Sequence, residues 1–534
     1  MNYLNCDYRD VSALGFIIVF WLGMFLYTGT FTSGYHFIDD HEIIQLNEKL
    51  NTSSFAHVAK NYLQFDSNWR FRPFWALHRV MEVKMFGTNF QLWACYTVLL
   101  CLMTSFLLYK SASLAGFSLM QSLLFVFLTL VNPAAIIWCQ IADSENIGMF
   151  VLSVSLFLGA LVSTGKRNNF FFRSGFILSL LILPLCKESF TLVVPAVLFM
   201  YLWLYSVRTN LGICNSFKQN KLLVIVPLLY MTACIAFIIL RVGTSKIVYA
   251  GVNESMFSTK IIFDFFASLF TYEIFYLILL GILIILIREF LMPGIPGFRS
   301  FSKKLIGYFL NLFVLSALVI IPQFAIYYKS GIRWRYYVPF MLGFSVVVTY
   351  LMKIIFDSKR LSKFSKYTFV CLTVVLIIQQ TLTYALPDVM IYNNERRAMT
   401  AMLSTIEVNT DNYSNILVVM DPVMHWGYGR SLFIYLNNSG DSAKMNFSFI
   451  KIDTVHYPYN DTALYRITEN YTMKYFRSYY FDSTKSTNDI SCIAMFPGLE
   501  EKFLHQYNDW FVKGNFDRYY FDEYIVYLRK SSRN

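Results

Sequence analysis

Charge is what this chain has least of. Of its 534 residues only 15% are Asp, Glu, Lys or Arg, whereas 56% are hydrophobic. A soluble globular domain carries about 25% charged residues, so a wholly soluble protein is excluded. Metal-ligand spacing is also missing. The nine cysteines are scattered, with no CxxC pair, and Cys95, Cys101, Cys234 and Cys371 fall inside apolar runs. Neither a disulfide framework nor a zinc site is indicated. No GxGxxG fingerprint is present, and the "GYG" of the C-terminal region is not a substitute. The first apolar run has no convincing small-residue cleavage site and reads as a retained span.

The apolar residues come in blocks near the ~20 residues that cross the hydrocarbon core as a helix. Eleven candidate spans have approximate limits 12–30, 91–109, 116–138, 146–164, 170–186, 189–206, 221–241, 266–288, 304–326, 336–355 and 367–386. The expected fold is therefore a polytopic α-helical membrane protein. Basic residues of short loops set orientation. With the N-terminus in the cytoplasm, "KRNNFFFR" (166–173), Arg208 with Lys218 and Lys221, "REFLMPGIPGFRSFSKK" (288–304) and "KIIFDSKRLSKFSK" (353–366) all fall on the cytoplasmic side. The net charge of +12 is thus a topology signal and calls for no nucleic-acid partner.

That orientation places on the outer side the 31–90 loop, "CQIADSEN" (139–146), "YYKSGIRWRYY" (327–337) and everything after about residue 387. The first loop carries apolar residues at helical spacing, Phe55, Val58, Tyr62 and Phe65, then Phe74, Leu77, Met81 and Met85, with Pro73 at a helix start. Two short helices on the membrane surface are expected, with Trp69 and Trp75 at headgroup depth. The sequence divides into a membrane domain, 1–387, and an extracytoplasmic small α/β domain, 388–534. The latter rests on the β-rich runs "NILVVM" (415–420), "FSFIKI" (447–452), "ISCIAMF" (490–496) and "EYIVYL" (523–528), with a turn and helix in "DPVMHWGYGRSLFIYL" (421–436).

The chemistry-bearing groups gather on the outer side. Asp39 and Asp40 follow the first span, Asp143 and Glu145 the third. Lys187 and Glu188 lie between the fifth and sixth, and Arg333 and Arg335 precede the tenth. A carboxylate takes a proton from an attacking hydroxyl, and arginines hold a phosphate leaving group. The combination suits sugar transfer from a lipid phosphate. Each group also has a plainer reading: an interfacial turn for "DD", a helix cap for Asp143 and Glu145, a hairpin ion pair for Lys187–Glu188, and snorkelling anchors for the arginines. No cofactor is required; "DDHE" leaves a divalent metal open.

In order, "IDDHE", "RFRPFWALHRVMEVKMFGTNFQLW", "NPAAIIWCQIADSENIGMF", "LPLCKESFTLVVPAVLF" and "RWRYYVPFMLGFSVVV" resemble the GT-C glycosyltransferases, polytopic enzymes that use polyprenyl- or dolichyl-phosphate sugars. The chain is similar to the protein O-mannosyltransferase-like branch and to bacterial transferases that decorate surface glycans, over about residues 10–390. It lacks the tetratricopeptide array of one related branch. The resemblance implies that Asp39 is the catalytic base and that Asp40 orients it. Helical neighbours diverge by about 100°, so the two do not share one substrate atom. It further implies that Asp143 and Glu145 line the cavity, and that Lys187, Arg333 and Arg335 meet the donor phosphate. The implied enzyme sits in the cytoplasmic membrane and moves a sugar from a polyprenyl-phosphate carrier to an envelope glycan or lipid, such as O-antigen or other lipopolysaccharide. The rival readings are a lipid-linked glycan polymerase or ligase, and a flippase. A flippase expects broken polar helices repeated in two halves, and no such repeat is found.

Overall fold

The computed structural model describes residues 8–530 apart from 38–39, 69, 142, 166–169, 243–258, 291–297, 328–333, 359–360, 411–414, 423, 439–445, 453–488 and 508–514. In chain order the helices are α1 (Tyr8–Thr28), α2 (His41–Thr52), α3 (Phe55–Ser67), α4 (Pro73–Phe86), α5 (Phe90–Leu114), α6 (Leu119–Leu130), α7 (Ser144–Ser163), α8 (Phe170–Ile182), α9 (Glu188–Thr191), α10 (Val194–Thr209), α11 (Ile213–Gln219), α12 (Lys221–Phe237), α13 (Thr259–Leu269), α14 (Glu273–Phe290), α15 (Phe298–Ile326), α16 (Tyr337–Asp357), α17 (Lys363–Gln380) and α18 (Leu386–Asn409). Among the described residues, eight helical stretches are long and apolar enough to cross a membrane. The chain is an integral, multi-pass membrane protein.

Every one of the eleven apolar runs is helical, but three are not simple spans. In the third, α6 stops after 12 residues. Ser118 and Gln121 start it with a reciprocal capping box. Asn132 then accepts a hydrogen bond from the Ala134 amide, and Pro133 opens a 3₁₀ turn over Pro133–Trp138. In the fifth, α8 ends at Ile182 and a 3₁₀ turn carries Pro184. The eighth run breaks between Leu269 and Glu273, where its two arms bend by 84°.

The chain packs as two units. The first comprises residues 1–28, 59–80 and 94–389. One of its cores joins Leu124 and Leu128 of α6 with Ile278 and Ile285 of α14, Phe340, Phe344, Val348 and Leu351 of α16, and Phe369 of α17. Gly148 brings α7 close to the segment after Lys187, since a Cβ there would collide with the Phe190 ring. Small residues allow this kind of close helix approach.

The second unit comprises residues 29–58, 81–93 and 390–534. Its five-stranded sheet contains β1 (Asn415–Met420), β2 (Asn446–Lys451), β3 (Ile490–Met495), β4 (Phe516–Phe521) and β5 (Tyr524–Arg529), in the order β2-β1-β3-β5-β4. β1 is parallel to β2 and β3, whereas β5 is antiparallel to β3 and β4. A helix, α19 (Trp426–Asn438), links β1 to β2, as a parallel crossover requires. The sheet core includes Ile416, Val419, Leu432, Ile493 and Val526, packed with Met399, Met402 and Ile406 of α18.

Four runs expected as strands are strands. β4 was not anticipated: "FDRYYF" alternates weakly, and most of its residues are exposed. It is an edge strand closed by a tight turn at Asp522, whose φ is 55°, a region Asp tolerates better than most residues. The 31–90 segment holds three helices, not two. Trp75 is only 3% exposed and lies under the Arg72 guanidinium, 3.7 Å from its ring centre. It therefore packs within the protein; Trp69 lies outside the described residues. Leu77, Met81 and Met85 of α4 do remain exposed.

Candidate functional site

In the first unit, four of the residues singled out in the sequence come together. Asp143 caps α7, its carboxylate accepting a hydrogen bond from the Ser144 amide at 2.8 Å. Glu145, the second residue of α7, is 1% exposed. Lys187 has extended backbone between Cys186 and α9, and its ammonium is paired with Glu145. Arg335 lies on a 3₁₀ turn, Trp334–Tyr336, just before α16. Its guanidinium is 3.5 Å from Asp143 and 3.8 Å from Glu145. The capping role expected of Asp143 is real, but the cap also faces a cation.

Lys187 and Glu188 do not pair with each other. Glu188 turns away to Arg70, which donates two hydrogen bonds at 3.2 and 3.3 Å, and it also accepts one from the Phe71 amide at 2.9 Å. The extended backbone at Lys187 separates the two side chains. Nearby, Arg72 pairs with Asp66 at 2.9 Å. The Gln323 side chain donates to the Ser189 carbonyl at 2.7 Å and so ties α15 to the Lys187 segment. The Tyr336 ring lies 5.2 Å from the Lys187 ammonium and 5.6 Å from the Arg335 guanidinium; it stacks on Tyr327 at 4.3 Å.

The electrostatics follow from burial. Desolvation, reinforced by the neighbouring Glu145 carboxylate, pushes the Asp143 carboxyl up to about 7, although Arg335 pulls the other way. Desolvation brings the Lys187 ammonium down to about 8, with Glu145 opposing that shift. The cations are not equivalent. The Lys187 side chain is 4% exposed and committed to Glu145, whereas that of Arg335 is 31% exposed. Well-made charge-assisted N–H···O bonds are about 2.7–2.9 Å long, so these two contacts of Arg335 are long ones.

In the second unit, Asp40 precedes α2; its carbonyl accepts from the Ile43 amide at 3.0 Å, but its side chain does not cap the helix. Its Oδ2 accepts from the His36 amide at 2.8 Å and from Arg396 at 3.1 Å. Both side chains are buried, and the Arg396 guanidinium lies 4.7 Å from the Tyr392 ring centre. The His36 ring stacks on Tyr392 at 4.6 Å and contacts Glu395 at 3.2 Å. Asp39 and Arg333 lie outside the described residues.

Sequence reasoning missed Arg70 and Arg396 as partners. Arg70 sits within the quoted "RFRPFW" stretch, whereas Arg396 has no local signal, because its partner lies 356 positions away. Among the described residues, no group of three or more His, Cys, Asp or Glu side chains is placed to hold a metal ion.

No family model and no curated protein matches the chain. Among solved structures it is similar to ArnT from Cupriavidus metallidurans in the apo state, at 13% identity and a TM-score of 0.41 over 98% of this chain and 99% of that one. It is also similar to ArnT from Cupriavidus metallidurans bound to undecaprenyl phosphate, at 12% identity and a TM-score of 0.40 over 96% and 98% of the two chains.

Proposed function

We propose that this protein is a GT-C type membrane glycosyltransferase that takes a sugar from a polyprenyl-phosphate carrier at the outer face of the cytoplasmic membrane and transfers it to an envelope glycan. The observation that carries this reading is the cluster at the end of α7. Ionisable groups among membrane-spanning helices are costly and mark function. This one offers a partly exposed guanidinium in long contacts with two carboxylates, backed by a buried ammonium. Arg335, with Lys187 behind it and Arg333 two residues upstream, suits the phosphate that leaves on the carrier. Asp143 and Glu145 hold those cations in place.

In the proposed reaction an acceptor hydroxyl oxygen attacks the anomeric carbon. A carboxylate, Asp39 in our assignment, takes the hydroxyl proton. The bond from the anomeric carbon to the phosphate oxygen breaks, and the carrier phosphate keeps the electron pair. Asp40, locked by Arg396, is a positioning residue. The N-terminus is cytoplasmic and the sheet-containing region extracytoplasmic in this reading.

Purified protein in nanodiscs, given a panel of radiolabelled polyprenyl-phosphate sugars and crude envelope acceptor, tests it. Wild type should transfer label, and Asp39→Asn should bind donor without transferring. Full transfer by Asp39→Asn would remove Asp39 from the chemistry and favour a polymerase or ligase. Movement of lipid-linked sugar across the bilayer with no new glycosidic bond would establish a flippase instead.

A further inference from the structure

The first unit holds a second polar place that the transferase reading does not require. A cavity of about 90 Å³ opens where several helix irregularities meet. These are the break between α13 and α14, the end of α6, the start of α16, and the π-helical turn Thr381–Ala385 that follows α17. π turns and broken helices at membrane depth recur at functional sites and line cavities. Thr271, Tyr272, Glu273, Tyr337, Gln380 and Tyr384 are among the lining residues.

Glu273 is the centre of this place. Its two carboxylate oxygens accept from Gln380 Nε2 at 3.0 Å and from the Tyr384 hydroxyl at 3.1 Å. Both donors are neutral, and among the described residues Glu273 has no cationic partner. Two more polar groups of the lining have also spent donors on the protein. The Thr271 hydroxyl donates to the Ser268 carbonyl at 2.7 Å. The Asn132 amide donates to the Thr129 carbonyl at 2.9 Å. Acceptor capacity remains at the centre: a carboxylate offers about four lone-pair sites, two of them beyond those that Gln380 and Tyr384 use at Glu273, and the Gln380 carbonyl adds more.

The walls are aromatic. Tyr272 and Tyr337 meet edge to face, with centroids 5.7 Å apart. A single water occupies about 10–15 Å³ on the same measure of volume, so the cavity has room for a ring-sized ligand and not only for one ion or water. An acceptor-rich carboxylate and amide between aromatic faces match a ligand with several hydroxyl donors and an apolar ring face. We propose that this cavity binds a sugar ring, with Glu273 accepting hydrogen bonds from its hydroxyls and Gln380 and Tyr384 holding the carboxylate in place.

The test uses the full chain in nanodiscs and simple methyl glycosides of common hexoses as probes, read by ligand-observed NMR. Wild type should bind at least one glycoside saturably. Glu273→Gln should weaken that binding about tenfold or more, because a charge-assisted acceptor is lost, with an unchanged melting temperature. Tyr384→Phe keeps the shape and removes one positioning bond, so it should weaken binding a few-fold; it serves if Glu273→Gln folds poorly. Binding indifferent to both substitutions, no glycoside binding at all, or binding of methylammonium in its place would overturn the proposal. A sugar-transfer assay on the same samples separates this site from the enzymatic reading. Glycoside binding that depends on Glu273 without any transfer keeps the cavity and rejects the transferase. Transfer with Glu273-independent glycoside binding does the reverse.

Discussion

Two arginine–carboxylate contacts in this molecule join the same residue types and differ in structure. Arg396 and Asp40, in the unit that carries the sheet, meet at 3.1 Å with side-chain exposures of 0% and 4%. Arg335, in the helical unit, stands 3.5 Å from Asp143, and its side chain is 31% exposed. The first pair is closed, with backbone and aromatic neighbours completing it. The second is more open: its guanidinium side chain is partly exposed and meets two carboxylates at 3.5 and 3.8 Å. A closed pair contributes rigidity; an open one can exchange a protein carboxylate for a substrate anion. The same two residue types thus do structural work in one place and suit recognition in the other.

The sharpest way to break this comparison is to remove one member of each pair. Arg396→Met leaves Asp40 buried without its cation, which costs about 3–5 kcal/mol. Thermal unfolding in detergent should show a large drop. Arg335→Met should melt close to wild type and lose polyprenyl-phosphate affinity about tenfold or more, as expected for a lost charge-assisted contact. Equal destabilisation by the two variants would erase the distinction.

Packing gives the next largest effect. Gly148→Val drives a side chain into Phe190 and pushes α7 from the Lys187 segment. Overpacking of this kind costs about 1–3 kcal/mol, and donor binding should fall with stability. Donor binding preserved in a destabilised Gly148→Val protein would show that the Glu145–Lys187 pair does not shape the site.

The smallest effect is one of pH. Asp143, with its carboxyl pushed up to about 7, is neutral below that value and charged above it. Lys187, brought down to about 8, is charged below that value and neutral above it. Each titration makes the site less positive as pH rises. Affinity for the carrier phosphate should therefore decline from pH 7 through 8, as isothermal titration would show. In Asp143→Asn the decline should keep only its upper limb. Affinity that rises over this window would contradict both assignments.

Much of the fold was legible because hydrophobic blocks and alternating strands are local signals. "NILVVM" and "ISCIAMF" read as strands from a few residues each. "FDRYYF" did not, since an edge strand with an exposed face lacks the buried alternation that marks its neighbours. The short third span was hidden by composition: the run 116–138 is mostly apolar on both sides of Asn132–Pro133, where the helix ends. At the site, the residue types were legible and the pairing was not. Lys187 and Glu188 are sequence neighbours, yet extended backbone sends one to Glu145 and the other to Arg70. Glu273 stood in plain view as a lone acid opening "EIFYLILL", but its meaning depends on Gln380 and Tyr384, which are more than 100 positions away. Long-range partners of this kind leave no periodicity to read.

On the proposed function, the Arg335 cluster holds a carrier phosphate. The most direct measurement is the affinity of wild type and Arg335→Met in nanodiscs for a short-chain polyprenyl phosphate and for the matching polyprenol. The account predicts that wild type prefers the phosphate and that Arg335→Met loses most of that preference while keeping its affinity for the alcohol. Equal binding of phosphate and alcohol by wild type, or an undiminished preference in Arg335→Met, would contradict it.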